Sequence, residues 1–204
     1  MMMNDTLEPA IDTDEVDALR AGTWTLLGRL LIEPPSAEMR ERLAAIGSSG
    51  DDADALGTAW SGLKDAARDA RDEALRAEYQ NVFVGVGGGE VTPYASWYLS
   101  GSLMDRPLVR LREDLEALGV TRNSDCSEPE DHAGAVCEIM AFAILDGDVD
   151  PEWQKDLFLR HADSWMGRLF EDIANAPSAD FYRAVGALGK AFIELERRFY
   201  AMSA

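Results

Sequence analysis

The sequence predicts an all-α fold, a compact bundle of about eight or nine helices with no sheet. Apolar residues recur at alternating three- and four-residue steps through most of the chain, as one buried helix face requires. No segment alternates with a period of two for long enough to form a strand, and Pro93 interrupts the nearest candidate. The 204 residues suit one domain, so we expect residues 1–204 to form a single unit in which residues 1–11 are loose.

Four helices are predicted in the N-terminal part of the chain, each bounded by a capping or breaking residue. Asp12 can cap the first helix, and Pro34–Pro35 ends it. Ser36 begins the second helix, Gly47 suits its C-terminus, and Gly85 ends the fourth helix. The apolar positions that define these helices are Val16, Leu19, Leu27, Leu30, Met39, Leu43, Ile46, Leu56, Trp60, Leu63, Leu75, Tyr79, Val82 and Phe83.

A glycine-rich segment then divides the chain. Residues 85–104 begin with Gly-Val-Gly-Gly-Gly, which disfavours helix and strand alike, so we predict a long hinge loop and a soft division here. Because such a hinge permits domain swapping, both a monomer and a swapped dimer remain open. Further helices follow, with starts predicted at Asp105, Ser127, Asp150, Asp163 and Ser178.

The chain is strongly acidic, with a formal net charge of −19 and an isoelectric point near 4.3. This charge argues against nucleic acid and anionic lipid surfaces as partners, since both attract basic proteins. A cationic partner such as an arginine-bearing peptide would be attracted, although salt adaptation is the simpler explanation of an acid-rich surface. No apolar run is long enough to span a membrane, and the acidic N-terminus lacks the features of an export signal, so we expect a cytoplasmic protein.

Few residues suit enzymatic or metal chemistry. The two cysteines, Cys126 and Cys137, lack metal-binding spacing, and the two histidines, His132 and His161, belong to no HExxH motif. The glycine run at residues 85–89 lacks the Gly-Lys-Ser/Thr ending of a phosphate-binding loop and follows a helix instead of a strand. We therefore predict no catalytic residue, no metal and no bound cofactor.

The most informative segment, Glu-Pro-Glu-Asp-His, starts directly after Ser127. Ser127 can act as an N-cap, Glu130 can close a capping box, and Pro129 suits the first turn of a helix. Asp131 and His132 would then lie exposed on that first turn, at the positive end of the helix. The pair either caps the helix or forms the polar part of a binding site, and the spacing does not separate these two roles.

A second unusual segment, Pro-Tyr-Ala-Ser-Trp-Tyr, starts at Pro93 and places three aromatic residues beside the glycines. Aromatic residues in a loop often anchor peptide ligands, but Trp97 and Tyr98 would equally serve to close the helix bundle. Tyr79 and Phe83 lie four residues apart on one helical face, where they are expected in the core and are also compatible with lining a groove.

Three motifs, in this order, resemble the TorD-like family of redox-enzyme maturation chaperones. They are Tyr-x-x-(apolar)-Phe-(apolar)-Gly from Tyr79, Pro-Tyr-x-Ser from Pro93 and Glu-Pro-x-Asp-His from Glu128, and with their helices they cover about residues 78–145. The glycine-proline pair that usually follows the first motif is replaced here by the glycine run, which leaves the geometry of that loop open.

The resemblance implies an all-helical, cytoplasmic protein that is not an enzyme. It implies two partners, a molybdoenzyme catalytic subunit and its twin-arginine signal peptide, which the chaperone holds until cofactor is loaded. The peptide would lie in a groove, with its apolar stretch against aromatic side chains and its polar or arginine groups against the acid–imidazole pair. The implied peptide-binding residues are Tyr79, Phe83, Pro93, Tyr94, Trp97, Pro129, Asp131 and His132.

Two other functions are alternatives. An enzyme that uses Asp131 and His132 as an acid–base pair, or that hydrolyses a nucleotide, needs a third catalytic group near His132. A structural assembly subunit needs a stable protein partner. Under the leading hypothesis, the aromatic segment and the acid–imidazole pair share one cleft.

Overall fold

The structure, a computed structural model, describes residues 13–47, 54–120 and 128–202. These ranges contain ten α-helices and no sheet, which confirms the predicted fold class. The helices are α1 Thr13–Ile32, α2 Ala37–Ala44, α3 Ala55–Asp69, α4 Asp72–Tyr79, α5 Ala95–Ser100, α6 Arg106–Ala117, α7 Ala133–Leu145, α8 Pro151–Leu157, α9 Met166–Asn175 and α10 Phe181–Met202. Single π-helical turns extend α4 over Gln80–Val84 and α8 over Phe158–Asp163.

Three predicted helix starts are confirmed by side-chain caps. The Ser36 hydroxyl accepts a hydrogen bond from the Met39 N–H at 3.2 Å, and Asp105 and Asp150 cap α6 and α8 in the same manner. The residues predicted to begin the first helix and the Glu-Pro-Glu-Asp-His helix, Asp12 and Ser127, lie outside the described residues.

Two predicted helix starts are wrong. Asp163 ends the π-helical turn after α8 and pairs with Arg197 of α10, so α9 starts without a side-chain cap. Ser178 bonds to Glu90, and α10 begins at Phe181. In both cases a long-range ion pair or hydrogen bond holds the side chain that local sequence spacing offered as a cap.

The central contact of the bundle is the packing of α1 against α7. A Cβ atom at Gly134 would lie 2.4 Å from Cγ1 of Ile32, and one at Gly28 would lie 3.0 Å from the Cβ of Cys137. Two glycines therefore allow the helix backbones to approach closely. Trp24 of α1, fully buried, extends this core towards α10.

A buried ion pair ties α1 to α10. The Arg20 guanidinium donates to both carboxylate oxygens of Glu196, at 2.7 and 2.9 Å, and to the Tyr200 hydroxyl at 2.7 Å. The Trp24 indole N–H also donates to Glu196, at 3.1 Å. Because the buried carboxylate has several donors, its charge is well compensated inside the core.

The segment predicted as a hinge loop, residues 85–104, contains helix α5. Gly85 adopts a positive φ of 53°, and a Cβ atom there would lie 2.1 Å from the Gly88 oxygen, so the turn requires glycine. The chain then folds back, and the Val91 N–H donates to the Val82 carbonyl at 2.8 Å. The loop is therefore short and anchored at its start, whereas the soft division of the domain stays a prediction.

Within the described ranges, every helix is too short or too polar to cross a bilayer. In the same part of the chain, no three His, Cys, Asp or Glu side chains gather as the ligands of a metal ion would.

Candidate functional site

The two unusual segments of the sequence meet in space. Tyr94 and His132 form an isolated antiparallel bridge. The Ala95 N–H donates to the Asp131 carbonyl at 2.9 Å, and the Ala133 N–H donates to the Pro93 carbonyl at 2.8 Å. We call residues 93–97 together with residues 128–133 the corner. The aromatic segment and the acid–imidazole pair therefore adjoin each other.

Asp131 is buried at the corner, with 1% of its surface exposed, whereas the sequence predicted an exposed residue on a first helical turn. Its Oδ2 accepts hydrogen bonds from the Ser96 N–H at 2.9 Å and from the Ser96 hydroxyl at 2.5 Å. Ser96 is the second residue of α5, so Asp131 caps that helix from a distant part of the chain. The other oxygen, Oδ1, is buried and has no hydrogen-bond partner among the residues that the structure describes.

His132 is also buried, with 8% of its surface exposed, and it precedes α7 instead of lying on its first turn. Its Nδ1 accepts a hydrogen bond from the Gly134 N–H at 3.1 Å and so provides the N-cap of α7. Burial lowers the pKa of His132, while the nearby carboxylates of Glu128 and Asp131 act in the opposite direction. The predicted exposure of the pair was wrong because residues 131–133 pair with residues 93–95, and this pairing buries both side chains.

Tyr94 connects the aromatic segment to the acidic one. Its hydroxyl donates to Glu128 at 2.5 Å, and its ring meets the His132 ring edge-on, with centroids 5.1 Å apart. Burial, followed by the hydrogen bond to Glu128, raises the pKa of Tyr94, so the hydroxyl keeps its proton at neutral pH.

Glu130 ties the corner to α6. Its carboxylate accepts from the Arg112 Nη2 at 2.8 Å and from the Arg112 Nε at 3.1 Å, in place of the capping box that the sequence suggested. Pro129 is half-buried beside it, and its carbonyl accepts from the His132 N–H at 3.1 Å.

The two aromatic residues of α5 have different surroundings. The Tyr98 hydroxyl donates to Asp172 at 2.6 Å and its ring packs on Trp165, so Tyr98 closes the bundle. Trp97 keeps 48% of its surface exposed, although Pro93 at the start of the segment is buried. Large apolar side chains are exposed within α5 and on both sides of it in the sequence, namely Val84, Val86, Leu99, Leu103, Met104 and Val109.

Tyr79 and Phe83 pack mainly in the core. Their rings contact each other and Tyr182, with centroids 5.0 to 5.9 Å apart. The Tyr79 hydroxyl donates to the Ile32 carbonyl at 2.5 Å, at the C-terminus of α1. Burial raises the pKa of Tyr79 and the charge of Glu128 adds to this effect, so Tyr79 lies within electrostatic range of the corner.

The residue before Tyr79 has a role that the sequence analysis missed. The buried Glu78 carboxylate accepts from the N–H groups of Asp180, Phe181 and Tyr182 at 2.7, 3.2 and 2.7 Å, and so caps α10. Ser96 was likewise missed as a contact of Asp131. Both residues belong to the quoted motifs or adjoin them, so the motifs themselves were the available signal.

Two clefts lie away from the corner. One of about 460 Å³ is lined by residues of α3, α4 and the start of α10, including Glu78. The other, of about 270 Å³, is lined by Arg110, Glu113, Asp114, Arg160 and His161, and His161 Nε2 lies 2.6 Å from Asp114. Neither cleft includes Trp97 or His132, so the shared peptide cleft stays a prediction.

The geometry does not form the acid–base pair of the enzyme hypothesis. The side-chain hydrogen bonds of Asp131 go to Ser96, and that of His132 goes to the Gly134 N–H. A general base and the carboxylate that orients it need a direct hydrogen bond or one through water. What the corner offers is an exposed apolar helix whose start is fixed by buried polar groups.

These features define a class of protein, an all-helical bundle in which a short, half-exposed helix starts at a buried polar corner. A sequence profile described as "Nitrate reductase delta subunit" matches residues 49–171. The chain therefore belongs to the nitrate reductase delta subunit family, and the predicted TorD-like membership is confirmed.

Several named proteins are similar to this chain. "Chaperone protein TorD" of Vibrio cholerae serotype O1 (strain ATCC 39541 / Classical Ogawa 395 / O395) is 27% identical over 133 residues, 60% of each chain. "Chaperone protein TorD" of Aliivibrio salmonicida is 26% identical over 138 residues, 62% of this chain and 64% of that one. "Probable Tat proofreading chaperone DmsD" of Haemophilus influenzae is 25% identical over 116 residues, 56% of each chain. The alignments thus span about 60% of the length of the curated relatives.

A solved structure shares the fold. It is a crystallised Archaeoglobus fulgidus protein described as a candidate redox enzyme maturation protein, with a TM-score of 0.57 and 18% identity. The similarity covers 93% of this chain and 99% of that one. It supports the all-helical architecture and carries no statement about ligands.

Proposed function

We propose that this chain is a cytoplasmic maturation chaperone for a molybdopterin-containing oxidoreductase. It binds the twin-arginine signal peptide of that enzyme and holds the apoenzyme until cofactor is inserted. The observation that carries the proposal is the position of half-exposed Trp97 on a helix that starts at a carboxylate-rich corner, since the Ala95 N–H donates to the Asp131 carbonyl at 2.9 Å.

This arrangement matches the chemistry of a leader that combines arginines with an apolar stretch. The exposed apolar residues between 84 and 109 supply surface for the apolar stretch, with Trp97 as the main aromatic anchor. Glu128 and Glu130 supply carboxylates at the corner that also holds Trp97. A guanidinium forms strong charge-assisted hydrogen bonds with carboxylates, so an arginine of the leader suits this part of the surface. The net charge of −19 would also accelerate association with a cationic peptide.

In this account the chain performs no covalent chemistry. Its curated relatives carry chaperone names, and the Asp131 and His132 side chains bond to other groups instead of to each other. By retaining the signal peptide, the chaperone delays export. By contacting the apoenzyme, it keeps the cofactor pocket open.

Calorimetric titration with a synthetic twin-arginine leader tests the proposal. The peptide should come from a molybdopterin oxidoreductase of the same genome, beginning with any encoded by a neighbouring gene. We expect saturable binding that weakens at least tenfold in Trp97→Ala, about 1.4 kcal/mol, because an aromatic anchor is lost.

Phe142→Ala is the matched control, because Phe142 is an aromatic residue with 46% exposure on α7, outside the corner. It should bind the leader as the wild type does. Heat equal to dilution for every leader of the genome would contradict the proposed function. An equal loss of affinity in both variants would contradict the proposed location.

Light scattering distinguishes the proposed chaperone from the alternative function, a structural assembly subunit. We expect a monomer or a domain-swapped dimer of this chain alone. A chain that purifies only in a permanent complex with another protein would favour the structural role instead.

A further inference from the structure

His132 is the residue of the corner whose protonation state the geometry defines. We propose that His132 is a neutral hydrogen-bond donor, with its proton on Nε2, and that it recognises an uncharged carbonyl oxygen of the bound peptide. The His132 side chain is then neither a cation that contacts the peptide nor the hydrogen-bond partner of Asp131. The identity of the ligand rests on the proposed function, whereas the tautomer does not.

The tautomer follows from the cap of α7. The Gly134 N–H points to Nδ1 at 3.1 Å, and a backbone N–H always donates. Nδ1 must therefore offer a lone pair, which leaves Nε2 as the nitrogen that carries hydrogen in the neutral ring. A proton on Nδ1 would place two donors face to face and break the cap.

The charges around the ring also bear on its protonation. Glu128 and Asp131 of its own segment favour the imidazolium. Against them act burial and the positive end of α7, where a cation is disfavoured. The charge of Glu130 is compensated, because it forms an ion pair with Arg112 of α6, whereas the Tyr94 hydroxyl donates to Glu128 and leaves its charge in place.

Nε2 is the ring nitrogen of His132 that the cap of α7 does not use. Among the described residues no hydrogen bond involves this nitrogen, and His132 keeps 8% of its surface exposed. In the proposed recognition, the bound peptide reaches Nε2–H through this exposed part of the residue.

The surroundings select the kind of acceptor. The carboxylates of Glu128 and Asp131, both within four residues of His132, repel a carboxylate or a phosphate. A peptide carbonyl is a neutral acceptor and is present in any leader. The corner thus combines acidic groups for arginine with one donor for the peptide backbone.

Nuclear magnetic resonance of the uniformly ¹⁵N-labelled full chain tests the tautomer without any ligand. Long-range ¹H–¹⁵N correlations distinguish Nε2–H, Nδ1–H and the imidazolium, and the loss of one signal set in His132→Asn assigns it, because the chain has two histidines. We expect the Nε2–H form near pH 7. The Nδ1–H form or the imidazolium would overturn the proposal.

Two substitutions separate the cap from the donor. In His132→Asn the side-chain oxygen can replace Nδ1 as the cap of α7, but no group replaces the Nε2–H donor. In His132→Gln the side-chain amide reaches the position of Nε2 and can donate there, but the cap of α7 is lost. We expect H132N to be the more stable variant and the weaker binder, with about a tenfold loss in affinity for the leader. H132Q should unfold at the lower temperature and bind more tightly than H132N.

The same rank order in stability and in binding would overturn the donor role. If the wild type binds no leader but shows the Nε2–H form, the proposed function fails and the assigned tautomer stands. If the wild type binds the leader and shows the Nδ1–H form, the proposed function stands and this proposal fails.

Discussion

Two buried carboxylates cap helices that lie far from them in sequence, and the two caps differ. Glu78 uses both oxygens to accept from three backbone N–H groups at the start of α10. Asp131 uses Oδ2, for the Ser96 N–H and hydroxyl at the start of α5, and its Oδ1 has no partner within the described ranges. In that part of the chain the first cap is fully satisfied, and the second leaves one buried oxygen unpaired.

The helices that they cap also differ. α10 has 22 residues, ten of them buried, whereas α5 has six residues, two of them buried, and carries exposed Trp97. An unpaired buried oxygen costs free energy, and such costs are tolerated where function requires a particular arrangement. The comparison indicates that Glu78 stabilises the bundle, whereas Asp131 positions the short helix that carries the exposed Trp97.

Removing the satisfied cap should give the largest loss of stability. Glu78→Ala leaves three N–H groups at the start of α10 without their acceptor, so we expect the free energy of unfolding to fall by about 3 kcal/mol. Urea denaturation measures this loss. Exposed Glu138 of α7 gives the matched control, Glu138→Ala, with little expected change.

The affinity of Glu78→Ala for the leader completes the test of the Glu78 cap. Where Glu78→Ala remains folded, it should bind the leader as the wild type does. A loss of affinity larger than the fraction of unfolded protein explains would remove the contrast between the two caps.

Removing the incomplete cap should cost less stability and more function. For Asp131→Ala we expect a loss of about 1–2 kcal/mol, as for other N-caps, and about a tenfold loss in affinity for the leader. Hydrogen exchange of the α5 amides should accelerate more than that of α10. If α5 exchanges as in the wild type while affinity falls, Asp131 contacts the peptide directly and does not act through α5.

Tyr79 and Tyr94 lie beside these two caps, and their removal should show the same contrast with smaller losses of stability. Tyr79→Phe removes a hydrogen bond to the C-terminus of α1 and should lower stability by about 1 kcal/mol. Tyr94→Phe removes a partly exposed bond to Glu128 and should cost less than about 0.5 kcal/mol. Thermal unfolding of both variants measures the difference, and the reverse order would contradict the assignment.

The pH dependence of stability should show the contribution of His132. The pKa of His132 is lowered in the folded state, so the unfolded chain binds more protons as the pH falls through about 6.5. Its contribution to stability is therefore complete above that pH and is lost on acidification, by less than about 1.4 kcal/mol per pH unit for one proton. His161, whose pKa burial also lowers, adds in the same direction.

His132→Asn should reduce this slope between about pH 5 and 7, as measured by urea denaturation at each pH. An unchanged slope would mean that His132 is equally easy to protonate in the folded and unfolded chain.

Local sequence patterns sufficed for the helices but not for the corner. Periodicity and the caps Ser36, Asp105 and Asp150 predicted most of the bundle. Helix α5 was missed because it has six residues and its cap, Asp131, lies 35 positions beyond Ser96. The burial of Asp131 depends on pairing with Pro93–Ala95, and tertiary contacts of this kind leave no local signal.

The site was predicted in part. The motifs brought Tyr94, Asp131 and His132 into one hypothesis, and the structure brings these three residues together. The motifs could not distinguish capping from contact, because a cap and a ligand use the same carboxylate or imidazole. That distinction required the hydrogen-bond partners Ser96 and Gly134.

A hydrogen-exchange footprint of the twin-arginine leader on the full chain would locate the peptide on the molecule. We expect slower exchange on peptide addition in residues 93–104 and 128–134, with no change at the Glu78 cap, residues 180–182. Slower exchange confined to the cleft between α3, α4 and α10, with the corner unchanged, would contradict this expectation.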